Sequence, residues 1–241
     1  MRFYPRLVLP QLEKELKTRE ITVITGMRQV GKTTLLDHLF SRVKSPNKAK
    51  IDLENPLNRK VFEEKNYDAI WNNLAAFGIN TKTKAYLFLD EIQHVPSIGS
   101  VVKYLSDHFK VKFVLTGSSS YYLKNLFPES MAGRKLIFEV YPLTFFEFLT
   151  FKGVAQEKPA SFSGKAASKN RIFYDKRISY YLEYLEYGGF PKIVLEESPE
   201  RKKALLSEIF TSYYERDVKS LADFKDTSKL RDLILLLVPR V

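Results

Sequence analysis

The sequence predicts an α/β fold in which a parallel-sheet domain is followed by a smaller helical segment. Three observations predict it. A glycine-rich loop lies between a short β-branched run, Ile21 to Thr25, and a stretch from Lys32 to Val43 that carries apolar residues at helical spacing. A continuous apolar run, Ala85 to Leu89, ends abruptly in polar residues, as a strand buried on both faces of a parallel sheet does, and Val111 to Leu115 reads as another buried strand that ends in Thr116-Gly117-Ser118. Strand-like segments come first and helical ones afterwards, which assigns the sheet to the first part of the chain and the helices to the second.

The loop reads Gly26-Met27-Arg28-Gln29-Val30-Gly31-Lys32-Thr33 and is followed by Thr34, a G-x-x-x-x-G-K-[ST] pattern. By chance such a pattern arises in roughly one chain in a hundred of this length. The strand before it and the helix after it therefore decide the reading. Gly26 and Gly31 let the backbone turn its N–H groups inward around phosphate oxygens, and the helix start adds partial positive charge there. Residues 26–34 are accordingly expected to bind nucleotide phosphates, with Lys32 reaching the β- and γ-phosphates and the Thr33 hydroxyl ligating Mg²⁺. Arg28 is expected to point outward, because the loop backbone does the cradling.

In chain order, Pro10 to Thr18 reads as a helix with Leu12 and Leu16 on one face, expected to cover the edge of the nucleotide site. Ala49 to Leu53 is a second strand, Glu54-Asn55-Pro56 a turn, and Leu57 to Phe77 holds two modest helices. Ser97 to Phe109 is a helix with Ser97 as candidate cap, and Leu136 to Val140 is a fifth strand. At Phe145 a helix begins, with Thr144 and Glu147 as a capping box and Leu143 and Phe148 as a hydrophobic staple. From Lys152 to Arg171 the chain is rich in small and charged residues and reads as a mobile linker. Helical stretches follow at Phe173 to Tyr187, at Glu200 to Leu221 and from about Thr227 to Val238, the first two separated by Gly188-Gly189-Phe190-Pro191. The expected division is 1–151 for the nucleotide domain, 152–171 for the linker and 172–241 for the helical segment.

The strand ending Leu89-Asp90-Glu91 comes 58 residues after Lys32, and the strand ending at Thr116 comes 26 residues after Asp90. Parallel strands deliver their carboxyl ends to one edge, so Thr33, Asp90, Glu91, Thr116 and Ser118 can converge on one phosphate group. Asp90 is the second expected Mg²⁺ ligand, through water. Glu91 beside it is placed to orient, or take a proton from, the water attacking the γ-phosphorus. Thr116 and Ser118 carry hydroxyls suited to sensing the γ-phosphate or that water, with a helix cap as the plainer role for Ser118. Arg134 after Gly133 is a candidate for stabilising transition-state charge, from its own chain or a neighbour.

Composition sets the outer limits. The chain of 241 residues has no cysteine, which excludes disulfides and cysteine-ligated metal sites. His38, His94 and His108 show no metal-ligand spacing. The first eleven residues are broken by prolines and the longest apolar run, Leu233 to Val238, is too short for a membrane span, so a soluble cytoplasmic protein without membrane contact is expected. A net charge of +11 permits contact with DNA and equally suits a lysine-rich solvated surface.

The ordered segments TGMRQVGKTTLL, DLENP, FLDEIQHVP, FVLTGSSSYYL, MAGRKLIFEVYPLTFFEFL and YLEYGGFP resemble the prokaryotic AAA-type P-loop ATPases that carry a trailing domain of unknown function. That resemblance implies a P-loop NTPase fold with a central five-stranded parallel sheet flanked by helices, ATP and Mg²⁺ as ligands, and Arg134 as an arginine finger in a homo-oligomer. Members of that family continue past the position of Val241, so activities carried there lie outside this sequence. The function expected is an ATP-binding, ATP-hydrolysing switch; the alternative is a nucleic-acid-associated module whose ATP binding controls DNA association. A GTPase or small-molecule kinase is disfavoured, because the chain lacks an N-K-x-D tetrapeptide and sets Glu91 next to Asp90.

Overall fold

A computed structural model describes residues 3–117, 133–154, 175 and 177–213. Its centre is a five-stranded parallel sheet of β1 (Ile21–Thr25), β2 (Lys48–Asp52), β3 (Ala85–Asp90), β4 (Val111–Gly117) and β5 (Lys135–Glu139), in the order β2-β3-β4-β1-β5. Parallel pairing sends every carboxyl end to the same edge. The central strands β1 and β4 are buried along their whole length, their polar residues Thr22, Thr25, Lys112 and Thr116 included.

Alternate residues of each central strand feed two cores. Ile21, Val23, Leu87, Leu89, Phe113 and Leu115 face one side, where they meet Phe62 of α3 (Pro56–Phe62), Ile70 and Trp71 of α4 (Tyr67–Asn73), and Val101, Val102 and Leu105 of α5 (Ile98–His108). Ile24, Phe88 and Val114 face the other side, against Leu9 and Leu12 of α1 (Leu9–Glu15) and Leu35, Leu36 and Leu39 of α2 (Lys32–Arg42). This is a helix–sheet–helix sandwich.

Helix α1 differs from expectation in its task. Leu12 is fully buried and Leu16 partly so, but they pack on the α2 core, and Glu13 reaches His38 and Arg42 toward the far end of α2. The residues preceding α1 approach the phosphate loop instead. Ser97 precedes α5 in a helical conformation, with φ −83° and ψ −3°, and its hydroxyl makes no cap bond, since a capping side chain needs extended backbone there. β2 and β5 each begin and end one residue earlier than expected.

Helix α6 (Phe145–Phe151) starts with the expected capping box: the Glu147 N–H donates to the Thr144 hydroxyl, and the Thr144 N–H donates to the Glu147 carboxylate at 2.9 Å. Leu143 and Phe148 lie in one buried cluster, consistent with the staple. Lys152 and Val154, expected to open a linker, are packed: Lys152 pairs with Glu183 at 2.7 Å and Val154 lies against the α6 cluster. The remainder of that segment, and the helix expected from Thr227, lie outside the described residues.

Among the described residues, the helical segment holds α7 (Ile178–Tyr187), α8 (Pro191–Val194) and α9 (Pro199–Tyr213). It is docked through Gly189, whose carbonyl accepts the Leu143 N–H at 2.6 Å. A Cβ on Gly189 would lie 2.3 Å from the Leu143 oxygen, so only glycine allows this approach. Among the described residues, no helix is long and apolar enough to cross a membrane.

Candidate active site

The phosphate loop follows β1 and opens α2 as expected. Gly26 has φ +145°, and a Cβ there would sit 2.1 Å from the Val140 carbonyl oxygen, so the loop leaves the sheet pressed against the exit of β5. Gln29 has φ 62° and Gly31 φ 95°, two left-handed turns that curl the backbone before the helix. Lys32 crosses this curl: it is buried, and its ammonium donates to the Gly26 carbonyl at 3.0 Å and the Met27 carbonyl at 2.8 Å. Val30 is fully buried in the α2 core and can offer only backbone to a ligand, while Met27 is partly buried against that core. Arg28 is half-buried, and Thr33 and Thr34 are exposed at the start of α2.

The strand ends converge on the same edge. Asp90 is buried, and its carboxylate accepts hydrogen bonds from the Thr116 and Thr33 hydroxyls. Burial pushes the Asp90 carboxyl above its ordinary range, the Glu91 and Asp52 charges add to this, and the two hydroxyls only partly offset it. The two expected metal ligands, Thr33 and Asp90, are therefore in contact.

Glu91 sits in the left-handed region at φ 54° and ψ 50°, uncommon for a residue with a side chain. Its N–H donates to the Thr116 hydroxyl at 3.1 Å, and its carboxylate accepts from Gln93. Thr116 thus bridges the ends of β3 and β4, donating to Asp90 and accepting from Glu91. It is fully buried beside Asp90, and its hydroxyl is engaged by the acidic pair. Ser118 lies outside the described residues.

Arg134 is not at this edge. It precedes β5, its carbonyl accepts the Ile21 N–H at 2.8 Å, and its guanidinium pairs with Asp107 of α5. The five-residue length of β1 separates that end of the sheet from the loop, about 17 Å at the usual strand rise. Action of Arg134 on the phosphate site of its own chain is excluded by this placement.

A divalent cation fits the donors present. Thr33 and Asp90 offer oxygen only, the choice of a hard cation, and the Asp90 carboxyl lies beside two further acids whose repulsion a cation would relieve. Among the described residues no group of three or more His, Cys, Asp or Glu forms a cage. Few side-chain ligands, completed by water and phosphate, is how Mg²⁺ is ordinarily bound.

Sequence reasoning missed Arg6. Its guanidinium donates to the Val30 carbonyl inside the phosphate loop, to the Tyr141 carbonyl and to Glu147 of α6. A lone arginine before a short helix carries no periodicity or spacing, and no signal in the sequence marks it.

Comparison with known proteins places these features in a family. A family model described as an AAA domain matches residues 18–149, and one described as a domain of unknown function (DUF8612) matches residues 178–241. The chain is similar to an uncharacterized protein of Haemophilus influenzae, 32% identical over 97% of this chain and 54% of that one. It is also similar to an uncharacterized protein of Methanocaldococcus jannaschii, 29% identical over 95% of this chain and 49% of that one. The chain thus spans about half the length of these curated relatives. A solved structure of Caenorhabditis elegans PCH-2 is similar at 14% identity and a TM-score of 0.41, over 87% of this chain and 60% of that one, a likeness too distant to speak for function. With the sheet order, the phosphate loop and a family match over more than half of its length, the chain belongs to the AAA domain family.

Proposed function

We propose that this chain binds ATP with Mg²⁺ and hydrolyses it, using nucleotide state to set the arrangement of its helical segment. The observation that carries the proposal is the meeting of Thr33, at the start of α2, with Asp90 and Thr116, at the ends of β3 and β4, on the edge where the phosphate loop curls. In this reading the loop N–H groups and Lys32 hold the β- and γ-phosphates. Thr33 and Asp90 hold Mg²⁺, which would supply positive charge to the phosphate oxygens. Glu91 takes a proton from water as its oxygen attacks the γ-phosphorus; the bond to the β-phosphate oxygen breaks, and ADP and phosphate leave. Arg134 serves a neighbouring copy.

The test is nucleotide affinity and turnover in the parent and two variants. Lys32→Ala is expected to lose ATP binding while its circular dichroism is unchanged. Glu91→Gln is expected to keep ATP bound and to slow turnover by about 10²-fold or more. Equal ATP affinity in a folded Lys32→Ala variant would overturn the binding reading, and parental turnover in Glu91→Gln would remove Glu91 from the chemistry.

A second reading, nucleic-acid association under nucleotide control, is favoured by one observation. A cleft of about 660 Å³ between α1 and the end of α2 is lined by Lys14, Lys17, Arg42 and Lys44, with Glu13 as the acid among its lining residues. Arg42 is paired with Glu13 at 3.2 Å, leaving three lysines for an anion. DNA affinity that depends on ATP and falls steeply with salt, and that drops when these lysines are changed to glutamine, distinguishes this reading from the first.

A further inference from the structure

We infer that Arg6 is a positioning residue for the phosphate loop: by holding the Val30 carbonyl outside the loop, it turns the Gly31 N–H toward the bound phosphates. The inference rests on the nucleotide reading above and assigns to it a residue that touches neither phosphate nor metal.

The geometry is specific. Arg6 is 8% exposed, and its fork serves three acceptors: Nε donates to Glu147 Oε1 at 2.8 Å, Nη1 to the Val30 carbonyl at 2.7 Å and Nη2 to the Tyr141 carbonyl at 2.7 Å. The peptide joining Val30 to Gly31 is trans, and in a trans peptide the C=O and N–H point in opposite directions. A carbonyl anchored on the Arg6 side therefore sends the Gly31 N–H to the other side. Without that anchor the peptide plane can rotate, because glycine tolerates the range of φ that a flip requires.

The same guanidinium braces both ends of the loop. Gly26, at the near end, is pressed on the Val140 carbonyl, and Tyr141, the next residue, is held by Nη2. Glu147 completes the arrangement. Burial opposes its ionisation, but the Leu7 N–H, Arg6 and the Thr144 N–H outweigh burial and hold its carboxyl below the usual range, so the guanidinium faces a full negative charge. Lysine cannot substitute, since a single ammonium does not reproduce the planar fork.

The test uses the full chain with ADP and ATP as probes in calorimetry, and hydrogen exchange of the loop amides. The double variant Arg6→Met/Glu147→Gln removes the buried charges together, and glutamine can still serve the capping box. It is expected to stay folded at about 25 °C with a lowered unfolding temperature, since the Val30 and Tyr141 carbonyls lose their donor, to bind ADP about tenfold more weakly or worse, and to lose the ADP-dependent protection of the Gly31 N–H. Arg6→Lys keeps the charge opposite Glu147 and is expected to show the same loss of affinity and protection. It carries the comparison should the double variant fail to fold. Parental ADP affinity with a protected Gly31 N–H in either folded variant overturns the inference. A parent that binds neither nucleotide overturns the nucleotide reading and this inference with it.

Discussion

Buried between two strand ends, Thr116 uses its hydroxyl in both directions, as donor to Asp90 and as acceptor for the Glu91 N–H. Thr116→Val keeps the shape and removes both bonds, leaving a buried carboxylate short of a donor and a backbone N–H short of an acceptor. The expected cost is about 1–3 kcal/mol in urea unfolding, with turnover reduced more than ATP affinity, whereas Thr116→Ser is expected to stay near the parent. Equal stability of the valine variant would show that the bridge contributes nothing. The partners of this bridge were legible in the sequence, because Asp90, Glu91 and Thr116 all stand where an apolar strand gives way to polar residues. The exact contacts were not. The two bonds of the Thr116 hydroxyl join the ends of different strands, and Arg6 meets Glu147 across 141 residues of chain, a separation that no local pattern can announce.

At the scale of elements, the strands and the α6 start were readable because their causes are local: apolar runs, β-branched residues and a capping box. The position of α1 was not, since two leucines on one face state that a helix packs without stating where. The edge of the sheet opposite the phosphate loop illustrates a further hidden cost. Lys112 lies in β4 with an exposure of 1%, donating to the Thr22 hydroxyl at 2.9 Å and to the Glu20 carbonyl, and so ties the α1–β1 connection to the sheet. Burial lowers its pKa from 10.5 to about 8, against the raising influence of Glu15 and Glu20. Between those two values the unfolded chain holds more protons than the folded one, so this group makes stability rise with pH across the window from about 8 to 10.5. Lys112→Met has no such group. The difference in unfolding free energy, parent minus variant, is expected to grow as pH rises through that window; a difference independent of pH would mean that the Lys112 ammonium is not destabilised by its surroundings.

For the whole molecule, the two edges of one sheet carry different chemistry. The loop, Asp90 and Glu91 occupy the carboxyl edge, and Arg134 the other, paired with Asp107 across a cleft lined by Arg19, Glu20 and Ser106. A parallel sheet fixes this polarity, because residues before and after a strand can never share an edge. Any action of Arg134 on ATP therefore needs a second copy whose amino edge meets the first copy's carboxyl edge, a head-to-tail contact. Arg134 would exchange the exposed Asp107 pair, worth little in water, for a γ-phosphate of a neighbour. Activity per chain is then expected to rise with protein concentration. Mixing Lys32→Ala, which retains Arg134, with Arg134→Ala, which retains a working loop, is expected to restore turnover that neither has alone, since every contact in which Lys32→Ala presents its arginine to the loop of Arg134→Ala joins two intact parts, while the reverse contact joins none. A mixture that stays inactive at high concentration, together with parental turnover in Arg134→Ala alone, would leave Arg134 as a partner of Asp107 and nothing more.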